Sequence, residues 1–166
     1  MAKFRLIALP LLITLAACQQ QDARQDAAPT AAPEAKPGLA LSEGRLVLPA
    51  VKGNPGAAYF KLDNTGSGAV SVAAVAIEGV GKAEIHQTMA DSMAPVDRLD
   101  VDAGSGLEFK PGELHVMAFD LDPKLAAGGT AEITLTFADG DKLSAPLKIE
   151  SAAEANMGGM DHGSGH

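Results

Sequence analysis

The sequence predicts an all-β protein, built as an antiparallel β-sandwich of seven or eight short strands. Two observations lead to this prediction. Glycine, proline, asparagine and aspartate recur every eight to twelve residues between positions 39 and 150. The segments between them are short and apolar, or alternate apolar and polar residues as half-buried strands do. Outside residues 1–17, no stretch of twelve or more residues has a convincing helical face.

Five segments carry the strand prediction, each short and bounded by turn residues: 57–63, 70–77, 115–121, 131–137 and 142–149. The last two flank Asp139-Gly140, a strong hairpin signal because both residue types tolerate the positive φ angles of a tight turn. The segment that starts at His115 follows the turn Lys110-Pro111-Gly112. Together these segments predict a domain over residues 40–150.

The first 17 residues are predicted to be a lipoprotein signal peptide. Lys3 and Arg5 precede an apolar run that ends Leu15-Ala16-Ala17-Cys18, and this ending resembles the lipobox of bacterial lipoproteins. The run is shorter than the roughly 20 apolar residues of a membrane span. The resemblance implies that Cys18 is acylated and that the lipid is the only membrane contact. It also implies that the protein lies in the periplasm and that Gln19 favours anchoring to the outer membrane. The alternative is an ordinary secretory signal with an incidental cysteine.

The two ends of the mature chain are predicted to be flexible. Residues 18–39 are rich in glutamine, alanine and proline and lack apolar periodicity, which is typical of a disordered tether. Residues 151–166 are predicted to be a flexible tail because the segment is rich in glycine and alanine. This tail carries Met157, Met160, His162 and His166.

Composition excludes several classes of function. The chain has 13 Lys+Arg against 21 Asp+Glu, which argues against nucleic-acid binding because phosphates require clustered cations. Cys18 is the only cysteine, so intramolecular disulfides, thiolate metal clusters and a blue-copper centre are excluded. No activated nucleophile or convincing acid–base pair is present, and the protein is predicted not to be an enzyme.

The histidines, and all methionines except Met1, fall in three clusters: residues 86–93, 115–117 and 157–166. A single methionine is usually core filler, but the strongest predicted strands contain none. Residues two apart in a strand share a face, so His115 and Met117 are expected side by side with Val116 turned away. Phe119 and Leu121 are expected to continue that face into the core. Residues 86–93 are small and polar, and are predicted to form a loop that brings further ligands.

The residue types select the metal. Thioether sulfur is soft and neutral, so it suits Cu(I) and suits Zn(II), Ca(II) or Mg(II) poorly. A set of histidine and methionine without thiolate or carboxylate leaves the charge of the ion largely uncompensated, which favours a monovalent ion. The sequence therefore predicts a Cu(I) site.

These residues resemble the His…Met…His-x-Met motif of the PCuAC-like periplasmic copper chaperones. Twenty-one residues, 94–114, separate Met93 from His115, as in that family, and His115-Val116-Met117 supplies the His-x-Met. Six residues separate His86 from Met93, about four fewer than the family usually has. The resemblance implies a cupredoxin-like Greek-key domain that binds Cu(I) through His86, Met93, His115 and Met117. Met89 is the alternative ligand from the shortened segment.

The resemblance also implies a function. It predicts an extracytoplasmic copper chaperone that delivers Cu(I) to the copper centres of a respiratory oxidase, in cytochrome c oxidase assembly, or to another copper chaperone. The tail resembles the His/Met-rich extensions of some family members, which implies an auxiliary site for a second copper, with Cu(II) as a candidate. Two alternatives stay open: copper sequestration for tolerance, and a structural β-sandwich lipoprotein with incidental His/Met clusters.

Overall fold

The computed structural model describes residues 36–90 and 92–158, and these form ten strands and one short helix. The elements in chain order are β1 (Leu39–Leu48), β2 (Gly56–Asn64), β3 (Val70–Ile77), β4 (Val80–Met89), β5 (Ser92–Pro95), β6 (Leu99–Val101), β7 (Gly106–Phe109), β8 (Leu114–Leu121), β9 (Thr130–Phe137), β10 (Lys142–Ser151) and α1 (Ala152–Gly158). The predicted all-β class is confirmed. Within these two ranges, no helix has the length and hydropathy that a membrane crossing requires.

The strands are hydrogen-bonded in the order β5-β4-β8-β2-β1-β10-β9-β3-β6, and β7 pairs with β2. All pairings are antiparallel except that of β1 with β10, which is parallel. A purely antiparallel sheet was therefore the wrong expectation for this one pair. Parallel neighbours need a long connection, and here the connection is the rest of the domain, since β1 and β10 are its first and last strands.

One contiguous apolar cluster forms the core. Alternate residues of β2 and β8 enter it from one side of the strand path, and alternate residues of β9 and β10 enter it from the other. Phe60 and Phe109 stack within the cluster with their ring centroids 4.0 Å apart. Because both halves of the sheet bury side chains in the same cluster, the sheet curls into a sandwich whose other face is outward.

The five predicted strands are present as β2, β3, β8, β9 and β10, each within two residues of its expected bounds. Gly140 has a φ of 90°, as the turn at Asp139-Gly140 requires. The sequence did not reveal the other five strands. Three of these have only three or four residues, and β4 is broken in its pattern by Gly81 and by charged residues on its outer face.

Regular secondary structure continues past residue 151, where a flexible tail was predicted to begin. Strand β10 includes Ser151, and α1 follows it. The Ser151 hydroxyl accepts a hydrogen bond from the Glu154 backbone N–H at 3.2 Å, and the Glu154 carboxylate accepts one from the Ser151 N–H at 2.8 Å. This reciprocal pair is a capping box, which satisfies two donors at the start of a helix. The Ser-x-x-Glu spacing was readable from the sequence.

Candidate metal centre

The register of β4 against β8 places the two central histidines opposite each other. His86 pairs with His115, and Glu84 pairs with Met117. Ile85, between Glu84 and His86 on β4, and Val116, between His115 and Met117 on β8, are buried in the core. The two histidines therefore lie on the outer face of the sheet, where their ring centroids are 6.1 Å apart.

Strand β8 presents His115 and Met117 on this outer face, as alternation predicts, and Val116 enters the core with no exposed surface. His115 is buried and Met117 is half-buried. The expectation that Phe119 and Leu121 descend into the core was wrong, since neither belongs to the core cluster. Strict alternation keeps position 119 on the outer face with His115, and the core takes positions 116 and 118 instead.

The segment that was predicted to be a loop is a β-hairpin. Strand β4 continues to Met89, and β5 returns along it with Thr88 opposite Met93. Thr88 is two residues beyond His86 and on the same face, so the hairpin turns Met93 toward the histidines. The Met93 sulfur lies 3.2 Å from His115 Nε2. Backbone pairing to β8 on one side and β5 on the other explains why this polar segment is a strand.

The other predicted residues lie elsewhere. Met89 pairs with Ser92, faces away from His86, and is 56% exposed. Met157 is in α1, which packs against β10 and β1, and the residue is 64% exposed. The remaining predicted residues lie outside the described part of the chain: Cys18, Met160, His162 and His166.

Backbone geometry sets the proton position of His115. Its Nδ1 is 2.8 Å from the carbonyl oxygen of Glu113. A carbonyl only accepts, so Nδ1 carries the proton and donates. In the neutral ring the lone pair is then on Nε2, which is the atom that faces Met93. His115 therefore offers a nitrogen donor next to the thioether sulfur.

A carboxylate that sequence reasoning missed lies beside this group. One oxygen of Glu84 is 2.8 Å from Lys82 Nζ, and the other is 3.5 Å from His86 Nε2. The hydrogen bond from Lys82 lowers the pKa of Glu84 below its usual value, and the one from His86 lowers it further. The spacing held a signal, since Glu84 is two residues before His86 and must share its face in a strand.

The set that comes together is two imidazoles and a thioether, with Met117 adjacent on the same face. In residues 36–90 and 92–158, no three histidine, cysteine, aspartate or glutamate side chains converge as a metal group. Met93 is 49% exposed. A thioether is thus accessible at the rim, while the two imidazoles are held in the sheet.

Residues 25–149 match the family model described as "Putative lipoprotein LpqE-like". The chain is 31% identical over 110 residues to "Putative lipoprotein Lxx21020" of Leifsonia xyli subsp. xyli, a match over 62% of this chain and 66% of that protein. It is 33% identical over 98 residues to "Uncharacterized protein RP573" of Rickettsia prowazekii, over 56% of this chain and 54% of that one. The chain thus spans less than two thirds of either relative.

Solved structures show the same fold. The copper-bound PCuAC domain from PmoF2 matches with a TM-score of 0.62 at 18% identity, over 72% of this chain and 98% of that domain. The solution structure of CuI-DR1885 from Deinococcus radiodurans matches with a TM-score of 0.60 at 23% identity, over 80% of this chain and 89% of that chain. The cupredoxin-like fold implied by the sequence resemblance is therefore confirmed. This chain belongs to the LpqE-like lipoprotein family and has the fold of PCuAC domains.

Proposed function

We propose that this protein is an extracytoplasmic copper chaperone that binds Cu(I) through His86, Met93, His115 and Met117. The distance of 3.2 Å between Met93 sulfur and His115 Nε2 carries the proposal. Bond lengths like those of zinc, about 2.0 Å to nitrogen and about 2.3 Å to sulfur, separate two tetrahedral donors by about 3.5 Å. The two atoms thus need to move only a few tenths of an ångström to share one ion.

The donor set favours Cu(I) over harder ions. Thioether sulfur is a poor ligand for Zn(II) and a good one for Cu(I). His115 Nε2, the nitrogen that faces the sulfur, carries no proton in the neutral ring because Nδ1 donates to a carbonyl. The structures that share this fold include a copper-bound PCuAC domain and a Cu(I)-bound protein, which supports copper as the cargo.

We propose that the protein is held at the periplasmic side of a membrane by a lipid on Cys18. The lipobox-like ending at Cys18 supports this, as do the lipoprotein names of the matching family and of one relative. Gln19 favours the outer membrane. A second, weaker copper site in the tail, with Met157, Met160, His162 and His166 as ligands and Cu(II) as a candidate ion, is part of the same proposal.

Delivery is proposed to occur by direct ligand exchange, without enzymatic chemistry. Met93 is half-exposed, so an incoming ligand can displace it first while the buried His115 still holds the ion. The recipient is a copper-accepting oxidase subunit, in cytochrome c oxidase assembly, or another chaperone. A recipient with thiolate ligands would make this transfer downhill, because thiolate is a soft, charged ligand for Cu(I).

Two measurements test the proposal. First, the full chain is titrated with Cu(I) against a competing chelator, and His115→Ala is expected to lose most of the affinity; wild-type affinity in that variant would contradict the site. Second, the Cu(I)-loaded protein is mixed with an apo dithiolate acceptor at several concentrations. A transfer rate that rises with acceptor concentration supports delivery, whereas a rate equal to spontaneous release supports sequestration.

A further inference from the structure

The outer face of β4 holds a chain of polar contacts that ends on a proposed copper ligand. Lys82 lies over the Phe119 ring, 5.8 Å from its centroid, and its ammonium donates to one oxygen of Glu84 at 2.8 Å. The other oxygen of Glu84 is directed at His86 Nε2, 3.5 Å away. Lys82 thus fixes the carboxylate in the orientation that faces His86.

The second nitrogen of His86 has no hydrogen-bond partner among residues 36–90 and 92–158. Nδ1 is buried, and no hydrogen-bonding atom of the described residues lies within reach of it. The His86 side chain as a whole is only 12% exposed. A buried polar atom without a partner costs free energy, so Nδ1 is suited to a ligand that the described residues do not supply.

The geometry points to Glu84 as the positioning residue for His86: its carboxylate accepts a hydrogen bond from the Nε2–H group and leaves the Nδ1 lone pair free to bind copper. This inference rests on the proposed function. His115 then binds through Nε2, since its Nδ1 donates to the Glu113 carbonyl. The two histidines are held as opposite tautomers, one by a carboxylate and one by a backbone carbonyl.

Such a carboxylate also compensates charge. Two imidazoles and two thioethers are neutral, so bound Cu(I) would leave a net positive charge in a half-buried place. Carboxylates behind metal-bound histidines orient the ring and raise the basicity of the ligand, and their loss typically lowers metal affinity by about 10- to 100-fold. We expect a loss in that range for Glu84→Ala.

The test reads the tautomer directly. Long-range proton–nitrogen NMR spectra of the 15N-labelled protein are recorded at pH 8, where free imidazoles are neutral. In the apo protein we expect the proton of His86 on Nε2 and that of His115 on Nδ1. On addition of Cu(I), we expect the nitrogen shift to change at His86 Nδ1 and His115 Nε2. Glu84→Ala is expected to mix the tautomers of His86, and Glu84→Gln, which keeps an acceptor oxygen, to restore them.

The matched control is Glu108→Gln. Glu108 is also an exposed strand carboxylate beside a lysine, 3.6 Å from Lys110 Nζ, but it lies on β7, which pairs with β2. This variant should keep wild-type tautomers and affinity. A proton on His86 Nδ1 in the apo protein, or unchanged His86 tautomer and copper affinity in Glu84→Ala, would overturn the inference. If neither histidine responds to Cu(I), the proposed function itself fails, while the apo spectra still test the role of Glu84.

Discussion

The hairpin of β4 and β5 distinguishes two methionines that are only four residues apart. Met93 shares a face with Thr88 and His86, and its sulfur is 3.2 Å from His115 Nε2. Met89 lies on the opposite face, at the end of β4. Side chains alternate with a period of two, so neither residue can take the place of the other without a shift in register. Met93→Leu and Met89→Leu therefore form a matched pair.

The two substitutions should have similar effects on folding and different effects on binding. A methionine-to-leucine exchange conserves volume and costs less than about 1.5 kcal/mol even in a core, and Met93 and Met89 are 49% and 56% exposed. Met93→Leu removes one of four proposed donors. We expect the Cu(I) affinity of Met93→Leu to fall by more than about tenfold, which equals about 1.4 kcal/mol. The Cu(I) affinity of Met89→Leu should fall by less than about threefold.

The assay is a competition titration of the full chain with Cu(I) and a chelator of known affinity, under reducing conditions. Thermal unfolding of each apo variant controls for stability. Equal or greater loss in Met89→Leu would refute the argument from strand alternation and would show that the shortened segment uses a different ligand. Wild-type affinity in both variants would place the thioether contribution elsewhere.

Three further predictions address stability and anchoring. Val116→Ala removes two fully buried methyl groups opposite the site and should cost about 2–3 kcal/mol of unfolding free energy, measured by urea denaturation, while the folded protein keeps its copper affinity; equal losses of both would contradict the separation of core and site. Cys18→Ser should abolish labelled fatty-acid incorporation and release the protein from the membrane fraction, and label on the variant would refute the anchor. The hydrogen bond from Lys36 lowers the pKa of the Asp139 carboxyl. The stabilisation from this pair is therefore present above the carboxyl pKa of the unfolded chain, and it is lost as pH falls through the lower pKa of the folded protein. Asp139→Asn should reduce the loss of stability on acidification, and an acid unfolding profile identical to that of wild type would argue against the pair.

Much of the scaffold follows from local sequence. The alternation of β9 and β10 around Asp139-Gly140, and the boundaries of β3, depend on neighbours along the chain. The same holds for His115 and Met117, which share a face because they are two apart in a strand. The residue types alone favoured Cu(I), because the methionine thioether is soft and both ligand types are neutral. The capping box at Ser151 was equally local and was overlooked.

Other features required the tertiary structure. The pairing of His86 with His115 and the conversion of residues 86–93 into a hairpin depend on the register of β4 against β8 and β5. The direction of the β8 face was misjudged at Phe119 because the sequence does not tell which face meets the core. Glu84 gained its significance only when the fold oriented its carboxylate toward His86. Register is set by contacts between residues distant in sequence, and one residue of slip moves every side chain to the other face.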